Sequence, residues 1–366
     1  MKKTVARVIS AALVAQTVLL GSCGEAKKDP SEYPIPELVG TTLNVFNWGE
    51  NISDGSDGSL DINGEFEKRY GITVNYTNYD SNESMYAKLK SGAVSYDIII
   101  PSDYMIERLI NENMLKKLDL TKIENYKNID DRYKNMFYDP NNEYSVPYTV
   151  GTVGLIYNKT MVDETPDSWN VMWDKQYKDN ILTFNNPRDA FMIAQMLLGQ
   201  DLNSTDKADW DAAKDKLIEQ NAVLQGRVMD EVYNKMEGAN AAMAPYYAGD
   251  FLTMKDNNDD LEFVYPKEGT NVFVDAMCVP ESCQNYDAAL AYINFMLEPE
   301  IGLANAEYIC YATPNTAVLN DENYSLKDSE ILYPSDDVMN NTQYYHDLDP
   351  EIRSYYESLW EDVVRG

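Results

Sequence analysis

The 366 residues carry 61 Asp+Glu against 30 Lys+Arg, a formal net charge of −31, with one histidine and four cysteines. Such acidity repels phosphate backbones and anionic headgroups and attracts cations, which argues against nucleic-acid binding. Acidic surfaces also keep exported proteins soluble, so charge alone names no ligand. A lone imidazole, His346, supports neither a His-rich metal site nor a histidine base.

At the N-terminus, Lys2, Lys3 and Arg7 precede an apolar run from Val8 to Leu20. That run is shorter than the roughly 20 residues a membrane span needs, and it reads as an export signal. It ends at Leu20-Gly21-Ser22-Cys23, the arrangement of a lipobox, so Cys23 is the expected lipidation site. Residues 1–22 form the signal and residues 23–39, charged and without apolar periodicity, a tether. Removing the signal takes three basic and no acidic residues, leaving a net charge of −34. The remaining cysteines, Cys278, Cys283 and Cys310, have no metal-ligand spacing, although one disulfide among them is open.

From residue 42 the chain alternates strand and helix patterns. Residues 42–48 read as a strand, 60–70 as a helix, 72–79 as a strand, 84–91 as a helix and 96–101 as a buried strand. This order predicts a doubly wound α/β lobe with its ligand beyond the carboxyl ends of the strands, where Trp48 and Ser102 fall. The loop at 52–64 resembles a calcium loop only in part: its twelfth position is Tyr70 rather than a glutamate, so no metal is expected. Residues 145–157 and 271–280 read as crossovers to and from a second lobe. That lobe takes a strand at 180–184, helices near 189–199 and 206–220, and a strand at 261–265; a helix at 286–298 rejoins the first lobe. The expected domains are 40–150 plus 276–320 and 151–275 plus 321–366, with a cleft between them.

Aromatic residues stand beside carboxylates at the expected strand ends: Trp48 with Glu50, Tyr247 with Asp250, Phe273 with Asp275. Ring faces that attract cations, next to acids that accept their hydrogen bonds, suit a ligand of ammonium groups joined by methylenes.

Six segments then carry a resemblance: Phe46–Trp48, Tyr79–Lys90, Tyr96–Ser102, Asp139–Tyr148, Tyr265–Gly269 and Thr313–Asn315. Together they resemble the spermidine/putrescine-binding proteins of ABC transporters across nearly the whole exported chain. The resemblance implies an α/β, two-lobed periplasmic-binding-protein-like fold with two crossover strands and discontinuous domains. It implies a monomeric, non-enzymatic polyamine carrier with no cofactor, which works with ABC permease subunits and sits on a membrane through its lipid. The ligand shell it implies is Trp48, Glu50, Ser102, Tyr104, Asp189, Tyr247, Asp250, Phe273, Asp275 and Tyr311, with Gln343 as a further contact. In the implied roles Asp275 pairs with a central or proximal ammonium, Asp189 and Asp250 serve an amine toward the second lobe, and the rings of Trp48, Tyr247 and Phe273 cover the methylenes. Asn186 stands where the spermidine binders carry an acid, which leaves spermidine and putrescine both open. Two other readings remain: a different small cation in the same fold, and a secreted hydrolase using two carboxylates.

Overall fold

The computed structural model describes residues 28–366, so residues 1–22 and Cys23 lie outside the described part. The chain first lays down β1 (Thr42–Trp48), α1 (Ile62–Tyr70), β2 (Thr73–Tyr79), α2 (Asn82–Ser91), β3 (Ile98–Ile99) and α3 (Asp103–Asn111). It then crosses on β4 (Ser145–Asn158) and builds β5 (Ile181–Phe184), α4 (Pro187–Leu198), α5 (Lys207–Gln220), β6 (Leu224–Val228), α6 (Glu231–Glu237), β7 (Met243–Tyr247), α7 (Ala248–Asn257) and β8 (Leu261–Val264). The return runs through β9 (Thr270–Cys278), α8 (Tyr286–Met296), α9 (Pro299–Ile309), α10 (Thr316–Leu319), α11 (Asp336–Met339), β10 (Thr342–Gln343) and α12 (Pro350–Arg365).

Two parallel βα units flank an antiparallel centre, giving the strand order β2-β1-β3-β9-β4-β7-β5-β6. β4 and β9 pair from Ser145↔Cys278 to Thr152↔Val272, with a register shift between Pro147 and Thr149. Every residue of both strands is buried, which explains their continuous apolar reading. At about 3.3 Å per residue, the 14 residues of β4 reach across both lobes. On one side Leu43, Phe66, Ile98, Tyr292 and Phe295 pack into a core, with a second cluster around Phe46 and Met105. On the other, Phe184, Phe191, Trp169 and Trp210 pack together with Tyr345, Tyr356 and Val363 from the C-terminal segment.

The structure departs from the sequence expectations in one strand and in the tether. The strand expected over 96–101 pairs only at Ile98–Ile99. Before it, the Asp97 carboxylate accepts from the backbone N–H groups of Asn44, Gln284 and Asn285, replacing ladder bonds with side-chain ones. The far half of the tether is folded: 3-10 turns form at Pro30–Glu32 and Pro36–Leu38, and Leu38 packs on the first core. Cys278, Cys283 and Cys310 are all free thiols. In the 52–64 loop, Asp61 caps α1 by accepting from Gly64 N at 2.9 Å and Asp54 accepts from Ser56 N at 2.9 Å, so these acids serve the loop's own backbone. Among the described residues no helix is long and apolar enough to cross a membrane.

Candidate ligand-binding cleft

The parallel strands of the two lobes end at one cleft of about 920 Å³, open at its mouth. All ten residues of the expected shell line it; Gln343 does not. Its side-chain oxygen accepts from Leu202 N at 3.0 Å and its carbonyl accepts from Asn271 Nδ2, so it braces the wall from behind.

Three carboxylates are each held by hydroxyl donors. Asp275 sits on β9 where it crosses between the lobes; Ser102 Oγ donates to it at 2.7 Å and Thr149 Oγ1 at 3.2 Å. Ser102 is fixed in turn by Asn82, whose Nδ2 donates to its Oγ. Asp250, in the first turn of α7, accepts from Tyr233 OH at 2.7 Å and from Tyr311 OH at 3.0 Å, the latter reaching across from the loop after α9. Asp189, in the first turn of α4, accepts from Tyr247 OH at 2.6 Å and Tyr345 OH at 3.1 Å. Asn186 caps that helix: its side-chain oxygen accepts from Asp189 N while its amide donates to Asp189 Oδ2 at 2.8 Å.

Burial is the largest influence on two of these acids. It pushes Asp275 and Asp250 up to about 7, against the downward pull of their hydroxyl partners. Asp230 and Glu50 add like-charge repulsion at Asp250, and Asp250 adds it at Asp275. Glu50 stands at the turn after β1 with φ of 52°, a left-handed conformation that costs a non-glycine residue on the order of 1 kcal/mol.

Two glycines make room for the rings. Gly151 pairs with Phe273 across β4 and β9, and a Cβ there would overlap the Phe273 ring. A Cβ at Gly249 would overlap the ring of Tyr311. The Phe273 ring meets Tyr247 edge-on at 5.5 Å, and Trp48 lies 4.7 Å from Tyr79.

Counting only described residues, the lining holds seven carboxylates (Glu50, Asp80, Glu83, Asp189, Asp230, Asp250, Asp275), nine aromatic rings and one guanidinium, Arg188. Such a surface stabilises cations with hydrocarbon between them and repels anions. Glu83, Asp230, Tyr233 and Tyr345 belong to this lining but not to the sequence-derived shell.

The profile of bacterial extracellular solute-binding proteins matches residues 64–331. The chain belongs to this family. A spermidine/putrescine-binding periplasmic protein of Salmonella typhimurium is 31% identical over 329 residues, covering 89% of this chain and 92% of that protein. Among solved structures, an ABC transporter protein from Listeria monocytogenes is 38% identical with a TM-score of 0.84, over 88% of this chain and 98% of its own. The spermidine/putrescine ABC transporter substrate-binding protein of Streptococcus pneumoniae is 36% identical with a TM-score of 0.74, over 89% and 99%. The fold of this solute-binding protein is therefore the two-lobed periplasmic-binding-protein type, as the resemblance implies.

Proposed function

We propose that this solute-binding protein captures a polyamine between its lobes and presents it to the permease of an ABC importer. The observation that carries the reading is the lining itself: seven carboxylates and nine rings against one guanidinium in one cleft. A dication or trication supplies the charge that these acids lack, and its methylenes lie against Trp48, Tyr247 and Phe273. Each charge-assisted hydrogen bond contributes about 1.5–3 kcal/mol and each cation–ring contact about 0.5–2, enough in combination for micromolar binding.

The ten shell residues act together in this reading. Asp275 takes the central ammonium, Asp250 and Asp189 the outer ones, Glu50 guards the mouth, and Ser102, Tyr104 and Tyr311 orient the acids. The two domains, 40–150 plus 276–320 and 151–275 plus 321–366, close over the ligand about the β4 and β9 crossovers. The exported chain is a monomer held at the outer side of a bacterial membrane by acyl groups on Cys23, and it binds its solute without converting it.

A thermal-shift screen of the exported chain against polyamines, amino acids, sugars and betaines tests this. A ligand present at 100 times its Kd stabilises the folded state by about 2.7 kcal/mol, so spermidine or putrescine is expected to raise Tm clearly. A shift by betaine or a sugar with none from either polyamine assigns the cleft to another solute.

A further inference from the structure

One end of the cleft is closed by a wall that also belongs to a second cavity. Glu83, Tyr104 and Arg188 line the cleft and, on their far side, a small depression that Arg108, Arg353 and Asp347 also line. Glu83 comes from the first turn of α2, and Asp189 and Arg188 from the first turn of α4 on the facing lobe. Tyr104 OH donates to Glu83 Oε1 at 2.9 Å. The two carboxylates and one guanidinium leave a single uncompensated negative charge where the lobes meet. The Arg188 guanidinium is itself held away from full neutralisation of this pair, lying 4.5 Å from the Tyr345 ring centre with Nη2 donating to Asn203 Oδ1 at 2.9 Å.

Resting on the polyamine reading above, we propose that Glu83 determines ligand length: with Asp189 it encloses the terminal ammonium of a triamine, and the Arg188 guanidinium in the same wall stops the ligand there. The chain lacks an acid at Asn186, whose amide is already engaged by Asp189, and Glu83 supplies the second carboxylate at this end from the opposite lobe. Burial raises the Glu83 carboxyl and the charge of Asp189 raises it further, against the downward pull of the Tyr104 hydrogen bond and of the Arg188 charge. Asp250, held by Tyr233 and Tyr311, and Asp275, held by Ser102 and Thr149, line the same cleft and form a separate pair of stations. A diamine fills that pair, whereas a triamine extends to Glu83 as well. A tetraamine would have to carry its fourth ammonium past the wall of Glu83, Tyr104 and Arg188, where Arg108 and Arg353 are already paired with Glu112 and Asp347 and the Arg188 guanidinium, held by Asn203, keeps its positive charge. Like charges brought together there discriminate against the longer ligand.

Calorimetric titration of the exported chain with putrescine, spermidine and spermine tests this. The wild type is expected to bind spermidine about tenfold or more tightly than spermine. Glu83→Gln is expected to weaken spermidine by about tenfold and putrescine by less than about threefold, a change in ratio that a general packing defect would not produce. Tyr104→Phe keeps the charge but removes its donor; it is expected to weaken spermidine by a larger factor than putrescine, and it carries the test if the first variant does not fold. Spermidine affinity unchanged in both variants, or spermine bound as tightly as spermidine, overturns the length stop and leaves the polyamine reading standing. A wild type that binds none of the three overturns both.

Discussion

At the scale of single residues, the behaviour of the cleft follows from acids placed where water cannot fully solvate them. Asp250 and Asp275 sit near 7 when the cleft holds no cation, because burial disfavours their charged forms. An ammonium beside each favours its ionisation, so binding near neutrality releases protons. Polyamine affinity is therefore expected to fall as pH drops below 7, approaching tenfold per pH unit for each carboxyl that must ionise. Titrations between pH 5.5 and 8, in two buffers of different ionisation enthalpy, check this; affinity independent of pH over that range contradicts it. The sign for stability is opposite. Between about pH 4 and 7 the folded, unliganded protein retains protons that the unfolded chain has released, so these two groups make it less stable as pH rises through that window. Asp275→Asn keeps a partner for Ser102 without the buried charge. It is expected to raise the unliganded Tm at pH 8 while weakening spermidine at least about tenfold, or 1.4 kcal/mol. A lower Tm in that variant contradicts the burial argument.

At the scale of elements, the strands and helices position these acids through close approaches that tolerate no extra atoms. Gly249 precedes Asp250 at the start of α7 and lies under the Tyr311 ring, whose hydroxyl donates to Asp250. Gly249→Ala forces that ring away, at about 1–3 kcal/mol of overpacking, and is expected to weaken polyamine binding with little change in overall helix content. Calorimetry together with circular dichroism reads both; unaltered affinity contradicts the assigned role of Tyr311. Much of this scaffold is legible in the sequence. The crossovers announce themselves as long apolar runs, the first interrupted by Gly151 and Gly154, and β1 matches its expected span, Thr42–Trp48. Periodicity also marks Ile352, Tyr356, Leu359 and Val363 as one buried face of α12, a helix that the sequence reading leaves unassigned. β7 escapes it for a physical reason: Pro245 and two tyrosines in Met243–Tyr247 mask a strand that is buried over most of its length. Glu83 and Tyr345 reach the site from a helix start and an irregular segment, where no aromatic-acid pairing at a strand end points to them. Their roles depend on facing elements meeting across the cleft, which local sequence does not encode.

At the scale of the whole molecule, a formal net charge of −31 surrounds the cleft with a potential that draws cations inward. The Debye length shrinks from about 30 Å at 0.01 M salt to about 10 Å at 0.1 M, so much of this steering is screened under physiological conditions. Stopped-flow association of spermidine, followed by intrinsic fluorescence, is expected to slow as salt rises over that range, with a smaller effect on dissociation. A salt-independent association rate would show that the surface charge serves solubility alone. The lobes already touch across the cleft through the Tyr311–Asp250 hydrogen bond and through Glu107 Oε2, which accepts from Asp347 N at 2.8 Å. These contacts lie beside the acids that the ligand would neutralise, so cation binding and lobe closure favour one another. The most direct test of the account is calorimetric titration of spermidine and putrescine into the wild-type exported chain and into Asp275→Asn. Saturable wild-type binding, weakened at least about tenfold in the variant, is the predicted result; heats no greater than dilution in the wild type, or equal affinity in the two proteins, would contradict it.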